Sequence, residues 1–259
     1  GSWTLGGRVH GGFWQQIKEE RTNILINDFR TVEQDYSGLH INIAYGLEGL
    51  DPLEEDPYTV EPVFNVTTQE QREWVKSLSL MVINAKDELS AIQAFRSAQP
   101  TGSLSKTFTN NQIKLLIDAF KEKHHQIEHY ICSDQGVSFM NLDGKITAQI
   151  IKHFTDKREP ILSIHDSYIC REQFTEELNT VMNKAVNDLL SGYVINIKAN
   201  KTVEDQSSLI HRGVISLSDM KERFLNRPKD LKRCEGYDAR WEHHKEWLHE
   251  IDNPIYLSL

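Results

Sequence analysis

The sequence predicts an α+β protein in which a small antiparallel sheet packs against helices. Three observations carry this reading. Residues 161–170 place two short strand-forming runs on either side of His165-Asp166-Ser167, the pattern of a β-hairpin with a polar tip. Residues 24–35 give a second pair of such runs, broken by Asn27-Asp28. Helical spacing of apolar residues then recurs at Leu39, Ile41, Ile43, Ala44, Leu47 and Leu50, at Val137, Met140, Ile146, Ile150, Ile151 and Phe154, and from Phe174 to Leu189.

Composition narrows the class. The 259 residues can bury one large core or two small ones. A hydrophobic share of 39% with 26% charged residues suits an ordinary globular chain, and no apolar run approaches the ~20 residues of a membrane span, so no membrane partner is expected. No signal segment opens the chain, and Cys132, Cys170 and Cys234 are odd in number and lack zinc spacing, which points to a reducing cytoplasm. With a net charge of −9, any nucleic-acid binding must come from a local basic groove. Gly1-Ser2 reads as a cloning remnant and Trp3 opens directly on a motif, so the chain is expected to be a piece of a longer protein.

In order along the chain, residues 4–14 are glycine-rich, and Arg8 among them offers a planar fork to a phosphate. Asp35 falls where a strand ends and the helix after Gly38 begins. Residues 51–66 form an acidic loop punctuated by proline, after which Thr67-Thr68 caps a helix expected to run to about Phe95. Arg72 and Lys76 are four residues apart on it, so both cations project from one face, with Asn84 two turns further on. Helices are expected at 110–132 and 136–156. His124, His125 and His129 sit among lysines and glutamates without a matching acidic partner, so no metal site is assigned to them. A strand at 191–201 and helices at 218–226 and 238–250 complete the chain. Trp241, His243, His244, Trp247 and His249 read best as the docking face of that last helix.

Four segments occur in one order: Thr4-x-x-Gly7-Arg8, Asp35-Tyr36-Ser37, Arg72-x3-Lys76-x7-Asn84-Ala85 and His165-Asp166-Ser167. This order resembles the polymerase core of the family A DNA polymerases (the bacterial DNA polymerase I group) and the single-subunit RNA polymerases of phages and mitochondria, including phage and prophage members. The resemblance spans roughly residues 3–190. It implies a polymerase palm with a motif C hairpin at His165-Asp166-Ser167, a reduced helical fingers region and no thumb. Residues 1–66 would be the first part of the palm with motif A, 67–132 the fingers-like helices, 133–190 the second part of the palm, and 191–259 a C-terminal extension.

The implied function is template-directed transfer of deoxynucleotides to a primer 3′ end in a bacterial or phage-infected cell. An RNA polymerase or primase of the single-subunit type is the alternative, and a palm relic that binds nucleic acid without catalysis is another. Two magnesium ions, replaceable by manganese, would be held by Asp35 and Asp166 with the Tyr36 carbonyl as a further donor, since magnesium takes few carboxylates and keeps water and phosphate oxygens. The resemblance gives Arg72, Lys76, His40, Asn84 and Tyr36 to the nucleoside triphosphate, with Lys76 and His165 beside the chemistry. Thr4, Gly7, Arg8 and Ser167 go to the DNA (or RNA) primer-template. His40 stands where the family has glutamate, and Asn84-Ala85 where it has an aromatic residue and glycine, the positions that govern sugar choice. Ser167 leans towards the RNA branch and Asp35-Tyr36-Ser37 towards the DNA branch. With no thumb, grip on the template is expected to need an accessory protein or an N-terminal region.

Overall fold

The computed structural model describes residues 6–10, 12–17, 21, 24–26 and 29–200. Thr4, the Asn27-Asp28 turn, Cys234 and the helices expected at 218–226 and 238–250 lie outside the described residues. The elements run β1 (Leu25–Ile26), β2 (Phe29–Tyr36), α1 (Leu39–Leu47), α2 (Thr68–Asn84), α3 (Glu88–Ala98), α4 (Asn110–Lys123), α5 (Gly136–Asp156), β3 (Leu162–Ile164), β4 (Ser167–Arg171), α6 (Thr175–Leu189) and β5 (Ile197–Asn200). The α+β expectation holds: all strand pairs are antiparallel, in the order β1-β2-β4-β3, with β5 also on β2.

β2 is the spine of this sheet. It pairs with β4 from Thr31↔Arg171 to Asp35↔Ser167, and with β5 from Glu33↔Asn200 to Tyr36↔Ile197. Because side chains alternate along a strand, Tyr36 faces one way and Glu33 and Asp35 the other. Tyr36 is 1% exposed and its hydroxyl donates to the Met182 carbonyl of α6 at 2.6 Å. Tyr168 and Cys170 of β4 join it in one apolar core with Val75, Phe95, Ile117, Ile150 and Leu178 from the helices. The face carrying Glu33, Asp35 and Ser167 is therefore turned away from the helical core.

Local chemistry explains most boundaries. Thr67 caps α2 through a capping box with Glu70, and Thr109 does the same for α4 with Gln112. The helix expected to reach Phe95 instead breaks at residues 85–87. Main-chain N–H groups of Cys132, Gln135 and Asp134 donate to the carbonyls of Val82, Ile83 and Ala85, and Asp87 caps α3 by accepting from Ser90 at 2.7 Å. The loop before α5 thus satisfies the end of α2, and a fresh cap starts the next helix. α4 likewise stops at Lys123, followed by a 3-10 turn at His125–Tyr130.

Other expectations change in detail. Among the described residues, β5 begins only at Ile197 and spans Ile197–Asn200. Val137 is 43% exposed, and Phe139, at 1%, fills the core place expected of it. His124 is fully buried: its ring nitrogens meet the Tyr45 hydroxyl at 3.0 Å and the Pro57 carbonyl at 2.9 Å. Burial pushes it down to about 4, so it is a neutral strut at neutral pH. No described helix is long and apolar enough to cross a membrane.

Candidate active site

Asp35 is the next-to-last residue of β2, and Asp166 is the second residue of the two-residue turn joining β3 to β4. The register Asp35↔Ser167 and a hydrogen bond from the Tyr36 N–H to the Asp166 carbonyl, at 3.1 Å, hold the Asp166 turn against the end of β2 that carries Asp35. His165, the first turn residue, is exposed with φ of 54°, a left-handed conformation that few side chains tolerate and histidine adopts more readily than most. Its ring stands edge-on to His10 at 6.4 Å.

The electrostatics of the pair are distinctive. Asp35 is pushed up to about 7, chiefly by burial, then by the charges of Asp166 and Glu33, with Lys76 and Lys198 pulling the other way. Asp166 is also raised, again mainly by burial, and is eased by its own main-chain N–H and by Arg8, His165 and Lys76. Two carboxylates held towards their neutral form are an oxygen donor set that a divalent cation would satisfy, and magnesium suits such a set. Among the described residues no group of three or more histidine, cysteine, aspartate or glutamate side chains is placed to hold a metal ion.

The glycine-rich segment docks on α5. Gly6 N–H donates to the Val137 carbonyl at 3.1 Å, Asn141 Nδ2 donates to the Gly6 carbonyl at 3.0 Å, and Arg8 Nε meets Asp143 Oδ2 at 2.7 Å. A Cβ on Gly144 would sit 2.3 Å from the Gly7 carbonyl oxygen, so only glycine allows this approach. Arg8 is therefore anchored by a buried aspartate that is itself pushed up to about 6 by its burial. Arg8 still bears on Asp166, His165 and His40.

On α2, Lys76 is exposed and its charge reaches both Asp35 and Asp166. Arg72, one turn earlier, is engaged: Asp56 accepts from it at 2.6 and 2.9 Å, and its guanidinium lies 5.6 Å from the Tyr58 ring centroid. Tyr58 belongs to the same field, pushed up to about 12 by burial and by Asp166, Asp56 and Asp35. Gly38, left-handed at φ 61°, lets the loop close down, because a Cβ there would meet Pro57 at 2.9 Å and the Tyr58 hydroxyl at 3.3 Å.

Several residues assigned to substrate are more enclosed than their roles imply. The Tyr36 ring is core, which leaves only its backbone for the site. Ser167 is 4% exposed, and its hydroxyl donates to Glu33 Oε1 at 2.8 Å. His40 is 9% exposed, edge-on to Phe139, with neither ring nitrogen partnered among the described residues, and is held down at about 4 by burial and Arg8. Asn84 ends α2, exposed, with its amide returning to the Leu80 carbonyl at 2.6 Å.

Sequence reading missed Glu33, Asp143, Tyr58 and Lys198. Glu33, only 9% exposed, accepts from Arg21 at 3.1 and 3.2 Å as well as from Ser167. The period-2 alternation that puts residue 33 on the face of Asp35 was the available signal for it.

No protein-family model matches the sequence, and no curated protein matches it. Among solved structures, the chain is similar to the POL domain of Pol1 from M. smegmatis in complex with DNA primer-template and dNTP, with 12% identity and a TM-score of 0.42. The likeness covers 66% of this chain and 39% of that one, so this chain spans well under half the length of the structure it matches.

Proposed function

We propose that this protein is a template-directed nucleotidyltransferase that adds deoxynucleotides to a primer 3′ end, with residues 29–200 forming a palm and a reduced fingers region. The single observation that carries the reading is the meeting of distant segments. Asp35 and Asp166 are joined across β2 and β4 by the Tyr36–Asp166 hydrogen bond, and Lys76 of α2 and Arg8 of the glycine segment act on Asp166. Two carboxylates flanked by cations from separate elements are what a phosphoryl centre with divalent ions requires.

In this mechanism Asp35 and Asp166 would hold magnesium, whose chemistry there would be activation of the primer hydroxyl and neutralisation of triphosphate charge. Lys76 binds triphosphate oxygens and stabilises charge growing on the pyrophosphate leaving group. Arg72 joins it by exchanging Asp56 for phosphate, and the neutral His40 lines the sugar side. Arg8, braced by Asp143, and the Gly7 backbone hold the template-primer. Ser167, tied to Glu33, braces the turn. Primer extension with dNTPs and then rNTPs, with magnesium or manganese, tests the reading. Extension with dNTPs supports it, extension with rNTPs alone moves it to the RNA polymerase branch, and no extension overturns it.

A further inference from the structure

We propose that Lys198 of β5 is a phosphate-contacting residue of this site, gripping an anionic oxygen from the side of the sheet opposite the β3–β4 hairpin. The inference rests on the nucleotidyltransferase reading and adds to it a residue outside all four motifs.

The register carries the argument. Asp35 lies directly opposite Ser167 on β4 and directly opposite Lys198 on β5. Directly opposed residues of antiparallel strands project from the same face with Cβ atoms ~5 Å apart. Ser167, Asp35 and Lys198 thus form a row across three strands, with the aspartate in the middle and the lysine at one end. Lys198 is exposed, and its side chain makes no hydrogen bond or ion pair with a described residue. Glu33, the other acid of that face on β2, is taken by Arg21 and Ser167, so it is not free to close on Lys198.

What remains is a cation beside an aspartate pair that a divalent ion would occupy. Lys198 stands beside Asp35 by register, directly across the β2–β5 pair. With the aspartates on metal, the lysine's partner has to be another anion. Its long stem and compact charge suit a phosphate oxygen, from the nucleoside triphosphate or from the nucleic-acid backbone. Lys76 approaches from α2 and Lys198 from β5, so two separate elements would bracket the carboxylates with positive charge.

The test compares wild type with Lys198→Ala, Lys198→Arg and Lys198→Glu in the full chain, after checking that all melt alike. Two quantities are read: KM for dNTP in primer extension, and Kd for a fluorescent primer-template by anisotropy over a salt series. Loss of one charge-assisted contact should weaken one of them by about 3- to 10-fold in Lys198→Ala, more in Lys198→Glu, with recovery in Lys198→Arg. A change in KM alone assigns the triphosphate. A change in Kd, with a salt slope shallower by about one, assigns the strand backbone. Values for Ala and Glu within twofold of wild type in both measurements overturn the inference. If wild type binds primer-template through Lys198 but never extends it, the catalytic reading falls and the phosphate contact stands. A wild type that neither binds nor extends overturns both.

Discussion

Ser167 Oγ donates to Glu33 Oε1 at 2.8 Å, across the strand pair that carries the two candidate metal ligands. Glu33 also accepts twice from Arg21, so a three-residue chain ties the hairpin end to β2 in a nearly solvent-free setting. Removing the centre of such a chain leaves the Arg21 guanidinium without its carboxylate and the Ser167 hydroxyl with only the Ile164 carbonyl at 3.1 Å, whereas removing the serine leaves an acceptor still held by arginine. Glu33→Ala should therefore cost about 3 kcal/mol and Ser167→Ala about 1 kcal/mol in urea unfolding. Equal, negligible effects would show that the chain is not a brace.

Gly144 governs the docking of the glycine segment on α5. Its added Cβ would meet the Gly7 carbonyl at 2.3 Å, and a backbone atom cannot swing away. Gly144→Ala should displace residues 6–8, break the Arg8–Asp143 pair and destabilise the fold by about 1–3 kcal/mol. Primer-template affinity should fall with it. A variant with unchanged melting and unchanged affinity would contradict this docking.

Asp35 makes the metal-free fold sensitive to pH. Its folded pKa is raised to about 7, above the ordinary value of 3.8, so the folded state holds a proton that the unfolded chain releases. The stability it contributes is fully present below the unfolded value and is lost as pH rises through about 7. His40 and His124, lowered to about 4, act oppositely: their stability is present above 6.5 and is lost as pH falls towards 4. A single stability curve mixes these trends, whereas comparing wild type with Asp35→Asn isolates the aspartate. Without metal, Asp35→Asn should melt higher than wild type at pH 8, with the gap narrowing towards pH 5. A gap that is constant across this range would refute the assignment.

Magnesium should reverse that order. The ion relieves the repulsion between Asp35 and Asp166, so millimolar magnesium at pH 8 should raise the wild-type melting temperature by linkage and do so much less in Asp35→Asn or Asp166→Asn. Identical magnesium shifts in all three proteins would place the ion elsewhere.

How much of this was legible in the sequence depends on the range of the interactions. The hairpin around Asp166, the strand ending near Asp35, the cap at Thr67 and the span of α5 follow from local patterning, and the sequence reading found them. The break after Asn84 did not show, because the groups that satisfy the end of α2 come from residues 132–135. Glu33, Asp143 and Lys198 were equally hidden. Each is a single charged residue in no motif, and its place depends on strand register or on a helix meeting a loop far away in sequence. Arg72 read as a free cation because the pattern of α2 says nothing of Asp56, sixteen residues earlier. The buried state of Ser167 likewise follows only from its neighbour on β2.

The central claim is that Asp35 and Asp166 act as one unit in nucleotidyl transfer. The most direct measurement is extension of a labelled primer on a DNA template with dNTPs and magnesium, by wild type, Asp35→Asn, Asp166→Asn and the double variant. Extension by wild type, with each variant slower by on the order of 10³-fold or more and the double variant no worse than either, is the predicted result. Absence of extension by wild type, or extension that survives in either variant, would contradict it.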